Sequence, residues 1–423
     1  MTPGPPAPRT ATTHRPTDAS GNAPTVEAGH GPTVPPHSDP AAAPARATVT
    51  APLRLGPLTV DPPVVLAPMA GITNAAFRKL CAEYGAGLYV CEMITSRGIV
   101  ERDGKALSML AFDPDERVRS VQLYGVDPRT VAGAVRVLAE EHGVAHVDLN
   151  FGCPVPKVTR RGGGAALPYK RGLLSRILDA AVRAAEPYGV PVTMKTRMGI
   201  DEHYLTYLDA GRIAEEAGCA AIALHGRTAA QHYSGSADWG AIARLREHVS
   251  IPVLGNGDVW EAVDAIRLVR TTGADGVVVG RGCLGRPWLF RDLAAAFVGE
   301  PLPPPPDLGE VADTLRRHGE LLAALMGEDR GPRDLRKHMA WYLKGFVVGS
   351  EIRAALGMVS SLAELDTLLS RLDHEQPYPA SELGLPRGRQ GSPRRVALPE
   401  GWLTDTDGVG IDLADAEIGA SGG

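Results

Sequence analysis

Cysteines and long hydrophobic runs are scarce in this chain, and each scarcity excludes a class of protein. Its 423 residues include five cysteines, which are scattered and never spaced as C-x-x-C. This pattern argues against a disulfide framework or a bound metal and predicts a reducing, cytoplasmic environment. No run of 18 or more apolar residues occurs, so no membrane span is predicted. The N-terminus lacks a basic start followed by an apolar core, so no secretory signal is predicted either.

Positive charge is not in excess, because 44 Lys and Arg stand against 49 Asp and Glu, giving a net charge of −5. A globally basic nucleic-acid-binding protein is therefore excluded, whereas a local basic patch on an acidic body is not. One such patch is present, since residues 157–171 contain five Lys or Arg and no Asp or Glu. The patch follows Cys153 and Pro154 at the end of an apolar run, which suggests chemistry on a polyanion.

The pattern of apolar residues changes along the chain and divides it into segments. Residues 1–50 are rich in Pro, Ala and Thr and are predicted to form a disordered extension, because they cannot bury enough apolar surface to offset their ordering entropy. Over residues 51–300, eight apolar runs alternate with helix-like stretches, which predicts an α/β fold with a (β/α)8 TIM barrel. No G-x-G-x-x-G follows the first run, so an open dinucleotide-binding sheet fits less well. The runs are VVLAPM, LYVCEM, RSVQLYG, HVDLNFG, VTMKTR, AIALHGR, PVLGNGD and GVVVGRG.

Beyond the barrel the sequence predicts a second, smaller domain. The proline run at residues 301–307 is typical of a stiff spacer. Apolar residues at helical spacing across 308–375 predict a small all-helical C-terminal domain. Proline, glycine and acidic residues dominate 376–423, which is therefore predicted to be a flexible tail.

Polar residues cluster where the predicted strands end, which is where the active sites of such barrels are built. Glycines after the seventh and eighth strands let backbone N–H groups approach a phosphate closely, and Arg281 can balance its charge. Lys195 is suited to stabilise the negative charge of a reduced flavin. These features together suit a bound flavin mononucleotide (FMN). The strand-end residues are Pro68, Met69, Ala70, Gln122, Asn150, Cys153, Lys195, Arg197, His225, Asn256, Gly257, Asp258, Gly280 and Arg281.

Several segments together resemble the tRNA-dihydrouridine synthase family. They are APMAGITNAAFR, CEMITSR, VQLYGVDP, DLNFGCPVPKV, MKTRMG, LHGRTAAQHYSGSADW, GNGDV and GADGVVVGRG, and the later RKHMAWYLKGF resembles the start of the family's helical RNA-binding domain. The most diagnostic piece is NFGCP followed by a K-x-x-x-x-GGGA loop. The likeness covers residues 53–372, and the pattern is nearest to the bacterial B-type branch.

The resemblance implies an FMN-dependent oxidoreductase that uses NADPH or NADH to reduce one uridine of tRNA to 5,6-dihydrouridine; we expect a monomer that binds neither a metal nor a membrane. It implies Cys153 as the proton donor, with Asn150 close to the substrate base. The flavin would be held by Pro68, Met69, Ala70, Gln122, Lys195, His225, Asn256, Gly257, Asp258, Gly280 and Arg281. The tRNA would be contacted by Lys157, Arg160, Arg161, Arg197, Arg336 and Lys337.

This reaction needs an acid as well as a hydride donor. Hydride addition at C6 of uracil places charge on the C5–C4–O4 system, so C5 must receive a proton. A cysteine thiol, whose ordinary pKa is about 8.5, is mostly protonated near neutral pH and can supply it. The basic loop after Cys153 would lower that pKa, a conflict that pairing of the loop with tRNA phosphates would relieve. A uridine in folded tRNA must also be flipped out to reach a barrel interior.

Two other functions remain open from the sequence. The first is an FMN-dependent barrel oxidoreductase acting on a small molecule, similar to dihydroorotate dehydrogenase. Such an enzyme would have no use for the acid-free loop or for the basic stretch 330–353, which has six Lys or Arg and two acids. The second is a non-catalytic tRNA-binding or folding factor, which would need neither the glycine-rich strand exits nor Lys195 and Cys153.

Overall fold

The structure is a computed structural model that describes Met1 and residues 51–85, 87–388 and 390–408. Apart from Met1, the extension predicted to be disordered lies outside the described residues, as does the end of the predicted tail, residues 409–423. Within the described ranges, no helix is long and apolar enough to cross a lipid bilayer.

Parallel strands close into a barrel of eight, which confirms the predicted fold class. The second barrel strand consists of two short pieces, β4 and β5, of which β4 pairs with β3 and β5 pairs with β6. Val90, between the two pieces, bridges to Ser120 and so closes the sheet. All eight predicted runs form strands. The strands are β1 (Leu53–Leu55), β2 (Leu58–Val60), β3 (Val64–Leu66), β4 (Leu88–Tyr89), β5 (Ile94–Thr95), β6 (Ser120–Tyr124), β7 (His146–Phe151), β8 (Val192–Arg197), β9 (Ala221–His225), β10 (Val253–Asn256) and β11 (Gly276–Val279).

Helices cover the outer face of the barrel, and local sequence sets their ends. For example, Asp127 accepts a hydrogen bond from the Thr130 N–H at the start of α4, and Gly143 ends that helix in the left-handed conformation. The helices are α1 (Ala75–Glu83), α2 (Ser96–Val100), α3 (Gly104–Ser108), α4 (Pro128–His142), α5 (Pro156–Thr159), α6 (Arg171–Ala185), α7 (Tyr207–Glu216), α8 (Trp239–His248), α9 (Ala262–Thr272), α10 (Leu289–Val298), α11 (Leu308–Met326), α12 (Gly331–Tyr342), α13 (Ser350–Leu356) and α14 (Leu362–Leu369).

A hairpin that the sequence analysis missed closes the amino-terminal end of the barrel. Strands β1 and β2 pair antiparallel, with Leu53 opposite Val60. These two residues and Leu55 are buried against apolar side chains near the strand starts, including Leu88 and Ala221. Three-residue strands give too little alternation to be recognised. The hairpin therefore closes the end of the barrel that lies opposite the carboxyl ends of the strands.

The helices α11 to α14 pack on the barrel through α1. Ala76 of α1 is buried in the same hydrophobic cluster as the inner faces of α11, α12 and α14. The Tyr84 hydroxyl lies 2.8 Å from the Thr314 hydroxyl of α11, and Arg317 pairs with Glu83 at 2.6 Å. An apolar contact with a polar rim therefore joins the helical region to the barrel.

Part of the predicted flexible tail lies against the barrel among the described residues. Residues 390–408, which we call the C-terminal strap, run along the barrel and bury Trp402, whose exposed fraction is 3%. The Trp402 indole N–H donates to the carbonyl of Ala166 at 3.0 Å. The tail composition predicted mobility because proline and glycine dominate it, whereas the structure shows a buried aromatic ring and hydrogen bonds to the barrel.

Two buried histidines lie where the helical region meets the barrel. The rings of His318 and His338 are 4.5 Å apart, and both approach Phe77 of α1. Burial lowers the pKa of His318 to about 3. Burial, reinforced by His318 and Lys337, lowers the pKa of His338 well below its ordinary value. Both rings are therefore neutral in the folded protein at neutral pH.

We expect the free energy of unfolding to fall as the pH drops below about 6.5. In that range the histidines of the unfolded chain bind protons, whereas the buried histidines of the folded chain stay neutral. The loss begins at the unfolded pKa, continues down to the lower folded pKa, and amounts to about 1.4 kcal/mol per pH unit for each histidine. Urea unfolding of the native chain and of His338→Phe, compared at about pH 7, 6 and 5, measures it. The variant should lose stability less steeply, and equal slopes would contradict this prediction.

Candidate active site

The strand ends bring several predicted residues to one level of the barrel. Asn150 of β7 stands opposite Lys195 of β8, and Asn256 of β10 stands opposite His225 of β9. Lys195 Nζ donates to Asn256 Oδ1 at 2.8 Å, and Asn256 Nδ2 donates to the carbonyl of Val278 at 2.7 Å. The parallel register therefore places these groups side by side across the barrel mouth.

The surroundings of Lys195 lower the pKa of its ammonium group. Burial and, to a smaller extent, the charge of Arg197 lower its pKa to about 8, against the opposing effect of Asp148. An ammonium group this easily neutralised gains most from a bound anion, because negative charge nearby restores its protonated state. The site is thus suited to a ligand that carries or develops negative charge.

A buried amide and carboxylate network lies beside Lys195. Asn150 Nδ2 donates to Gln122 Oε1 at 2.9 Å, and Gln122 Nε2 donates to Asp148 Oδ2 at 2.7 Å. Thr193 completes the network by donating to the other oxygen of Asp148 at 2.7 Å. Burial raises the pKa of Asp148. The sequence analysis missed this residue, although its position two residues before Asn150 places both on the same side of β7.

The predicted cofactor residue Asp258 holds Arg227, a strand-end arginine that was not assigned to the cofactor. Asp258 accepts two hydrogen bonds from Arg227 Nη2, both at 2.8 Å, and one from the Ala237 N–H at 2.6 Å. The side chain of Arg227 is 2% exposed. Asp258 has a φ of 57°, an uncommon conformation for a residue with a side chain. Its carboxylate therefore orients Arg227 rather than pointing freely into the mouth.

Arg281 is positioned by aromatic rings at the same rim. Its guanidinium carbon lies 4.4 Å from the centre of the Tyr233 ring and 5.0 Å from that of Trp260, within cation–π range. Burial lowers the pKa of Arg281 to about 10, with a further contribution from Arg227. Tyr233 was not predicted as a site residue, although it lies within the segment that resembles the synthase family.

His225 and Gly257 form a tight corner next to these arginines. Burial, together with Arg197 and other nearby cations, lowers the pKa of His225 well below its ordinary value, so the ring is neutral. Gly257 has a φ of +119°, and a Cβ there would lie 2.7 Å from the Ala237 Cβ and 3.1 Å from the His225 ring. Only glycine fits this position, and its bare backbone allows a ligand to approach closely.

The remaining predicted cofactor residues line the first and eighth strands. Pro68 and Met69 are half-buried and Ala70 is exposed just after β3. A Cβ on Gly280, which follows β11, would lie 3.8 Å from the sulfur of Met69. Since β3 and β11 are paired neighbours, these residues lie together at the carboxyl end of the barrel.

Cys153 is held at the end of β7 by backbone contacts. Its N–H and that of Gly152 donate to Asn150 Oδ1 at 2.9 and 3.1 Å. Arg197 Nε donates to the carbonyl of Gly152 at 3.0 Å. Burial raises the pKa of the Cys153 thiol, and this effect exceeds the opposing effects of a backbone hydrogen bond at Val155 and of Arg197. The thiol is therefore protonated at neutral pH, as a general acid must be.

The three glycines after Cys153 form a close-packed loop. A Cβ would lie 2.4 Å from Trp402 at Gly162 and 2.4 Å from Tyr124 at Gly163. At Gly164, where φ is +53°, it would lie 2.5 Å from the carbonyl oxygen of Cys153. Each glycine is thus required for a different close approach.

The predicted tRNA-contacting residues, apart from Arg197, form two groups in the structure. Lys157, Arg160 and Arg161 are exposed on or just after α5. Arg336 instead donates to the carbonyls of Met358 and Val359, and Lys337 donates to Asp334 at 2.9 Å, so both serve the helical region itself.

Arg197, which was predicted to contact the tRNA, is buried at the end of β8 and is 3% exposed. Its Nη1 donates to the carbonyls of Thr228 and His232, while its Nε bonds Gly152. It therefore braces the Cys153 loop against the loop after β9. The guanidinium of Arg197 therefore bonds backbone carbonyls inside the protein.

Comparisons with known proteins agree on one family. A model of the dihydrouridine synthase family matches residues 65–376. Proteins named probable tRNA-dihydrouridine synthase from Mycobacterium tuberculosis and Mycobacterium leprae are 59% and 56% identical over 378 and 386 residues, covering 88% and 85% of this chain and 97% and 100% of theirs. The tRNA-dihydrouridine synthase B of Xanthomonas campestris pv. campestris is 41% identical over 304 residues, covering 72% of this chain and 90% of that protein. This α/β-barrel oxidoreductase belongs to the dihydrouridine synthase family, which confirms the resemblance. Its relatives include proteins of the B type.

We expect Gly164→Ala to cost more stability than Gly189→Ala. Both glycines have positive φ, but a Cβ at Gly189 would meet nothing within 4 Å, whereas one at Gly164 would strike the Cys153 carbonyl. The control should lose about 1 kcal/mol from backbone strain alone, and Gly164→Ala about 1–3 kcal/mol more from overpacking. Urea unfolding of both variants measures the difference. Equal losses would mean that the loop is not tightly packed on Cys153.

Proposed function

We propose that this chain is an FMN-dependent tRNA-dihydrouridine synthase that reduces the C5–C6 double bond of a uridine with NADPH or NADH as reductant. The observation on which the proposal depends is the pairing of a protonated thiol, Cys153, with a buried cationic cluster at the same barrel mouth. Membership of the dihydrouridine synthase family supports this reading of the site. A proton donor beside an anion-binding cluster is what reduction of a polarised double bond by a phosphate-bearing cofactor requires.

The residues at the mouth fit FMN. More basic groups than carboxylates face this region among the described residues, and Gly257 leaves no room for a side chain, so a phosphate can meet both charge and bare backbone. Arg281, Gly257 and Gly280 would hold the phosphate side. Lys195, Gln122 and Asn256 would face the ring system, together with Met69 and its neighbours Pro68 and Ala70. His225 would lie beside them as a neutral ring, and Asp258 would act by orienting Arg227.

When bound, FMN supplies the hydride that adds to C6 of the uracil. Cys153 donates its thiol proton to C5, and the resulting thiolate regains a proton from solvent. Asn150 keeps the Cys153 loop in place through its Oδ1 and directs its amide nitrogen toward Gln122, next to the substrate base. Arg197 holds the same loop from the other side, and its positive charge stabilises the transient thiolate.

The substrate assigned to this site is tRNA rather than a small molecule. Lys157 and Arg160 are exposed beside the mouth and make no ion pair with the described residues. Such side chains are suited to RNA phosphates. Mapping dihydrouridine in tRNA from cells that lack this chain, with and without a restored copy, tests the function. Unchanged dihydrouridine content in the deletion would contradict it.

We expect Cys153→Ala to retain flavin and its reduction by NADPH but to lose about 10²–10⁴-fold in uridine reduction, because general acid catalysis contributes that much. Cys219→Ala is the matched control, since that cysteine is also buried but lies in the core outside the site. Single-turnover reduction of tRNA by pre-reduced enzyme measures the effect. Because burial raises the thiol pKa, the rate of the native enzyme should fall only at pH values above the ordinary range of a cysteine thiol. Full activity of Cys153→Ala would remove this residue from the mechanism.

We expect the double variant Lys157→Ala/Arg160→Ala to bind tRNA with a weaker dependence on salt. Each phosphate contact contributes about 0.7–0.9 to the log–log slope, so the loss of two contacts should reduce the slope by about 1.4–1.8. Arg183→Ala, on the outer helix α6 and well exposed, is the control and should leave the slope unchanged. Filter binding of tRNA over a salt series measures both, and an unaltered slope in the double variant would make these residues an ordinary solvated surface.

A further inference from the structure

The C-terminal strap crosses two loops at the carboxyl end of the barrel. Its Arg394 N–H donates to the carbonyl of Ala230, in the loop after β9, at 2.8 Å. Further along, the Tyr169 hydroxyl donates to the carbonyl of Leu403 at 3.0 Å. The strap thus spans from the loop that Arg197 braces to the loop that follows Cys153.

The end of the strap completes the start of α6. The residue before this helix, Lys170, makes no side-chain cap, so the first backbone N–H groups need other acceptors. The strap supplies them, because the Arg171 N–H donates to the carbonyl of Thr406 and the Leu173 N–H to that of Asp407. Lys170 itself is 2% exposed, and its ammonium lies 5.0 Å from the Trp402 ring centre. Two of the five basic residues of the stretch 157–171, Lys170 and Arg171, therefore contact the strap rather than solvent alone.

Trp402 connects the strap to the catalytic loop. Its ring fills the space over Gly162, where a Cβ would come within 2.4 Å of it, and its indole N–H bonds the Ala166 carbonyl. Between these two contacts, the Ala165 N–H donates to the carbonyl of Cys153 at 3.0 Å. The segment that Trp402 holds at both ends is thus the segment that bonds Cys153.

We propose that the C-terminal strap is a positioning element for Cys153, in which Trp402 clamps the glycine loop and so fixes the thiol at the barrel mouth. The strap lies beyond residues 65–376, which are the ones that the family model matches. The inference rests on the proposed function for its effect on turnover, but the position of the thiol can be measured without any reaction. A general acid must be held within hydrogen-bond reach of the atom it protonates, so a looser loop costs rate more than substrate binding.

Alkylation of Cys153 by iodoacetamide provides the test, because the other four cysteines of the chain are fully buried. We expect Trp402→Ala in the full chain, loaded with FMN, to raise the alkylation rate of Cys153 by about tenfold, which corresponds to about 1.4 kcal/mol of loop free energy. Its kcat for tRNA should fall by a similar factor with little change in KM. Trp402→Phe, which keeps a ring over Gly162, should recover most of both. Wild-type alkylation and kcat in Trp402→Ala would overturn the proposal.

A milder pair of substitutions covers the case in which Trp402→Ala does not fold. Tyr169→Phe combined with Asp405→Ala removes two anchors of the strap and leaves the tryptophan in place. A folded protein with native circular dichroism, raised thiol reactivity and lowered kcat supports the proposal, and native values of both overturn it. If thiol reactivity changes while Cys153→Ala remains fully active, the strap positions the loop but the proposed catalytic role of Cys153 fails.

Discussion

Several cationic side chains are removed from water at the carboxyl end of this barrel, and the rest of the site depends on how that charge is compensated. Desolvating a cation costs several kcal/mol unless opposite charge or hydrogen bonds replace the lost water. Asp258 compensates Arg227 directly, and lies 3.8 Å from Arg281. Lys195, with its pKa near 8, shows that the compensation is incomplete. An anionic ligand would supply the missing charge, so cofactor binding and the stability of the mouth are coupled.

The two halves of the mouth have opposite electrostatic requirements. The half around Lys195 must hold positive charge, whereas the half around Cys153 must keep a thiol protonated. The sequence presents these requirements as a conflict, because a basic loop follows the cysteine. The structure separates them: Lys157 and Arg160 face solvent, and burial outweighs the effect of Arg197 on the thiol. The guanidinium of Arg197 is also occupied by three carbonyl oxygens, which partly compensate its charge.

The barrel and the strand-end residues could be predicted from the sequence because both follow from local patterns. Buried parallel strands are continuous apolar runs, and their carboxyl ends meet at one face, so Asn150 and Lys195 were placed together correctly. Asp148 was missed because it lies inside the strand rather than at its end, although strand alternation places it on the same side as Asn150. Arg197 was predicted to contact the tRNA, and its bonds to backbone carbonyls of distant segments were not predicted because no sequence pattern shows them. Trp402 was missed for the same reason, since its partners lie in the loop after β7.

The glycine loop shows how composition can mislead about rigidity. Three consecutive glycines suggest a flexible turn, yet Trp402, Tyr124 and the backbone of Cys153 each occupy the space that a side chain would need. Glycine here permits close approach from three directions, and the flexibility it would bring to an isolated chain is removed by tertiary packing. Since one of those three neighbours belongs to the C-terminal strap, the order of the glycine loop depends on a segment beyond residues 65–376, which the family model matches. A proton donor gains rate from such order because its sulfur stays near the position that transfer requires.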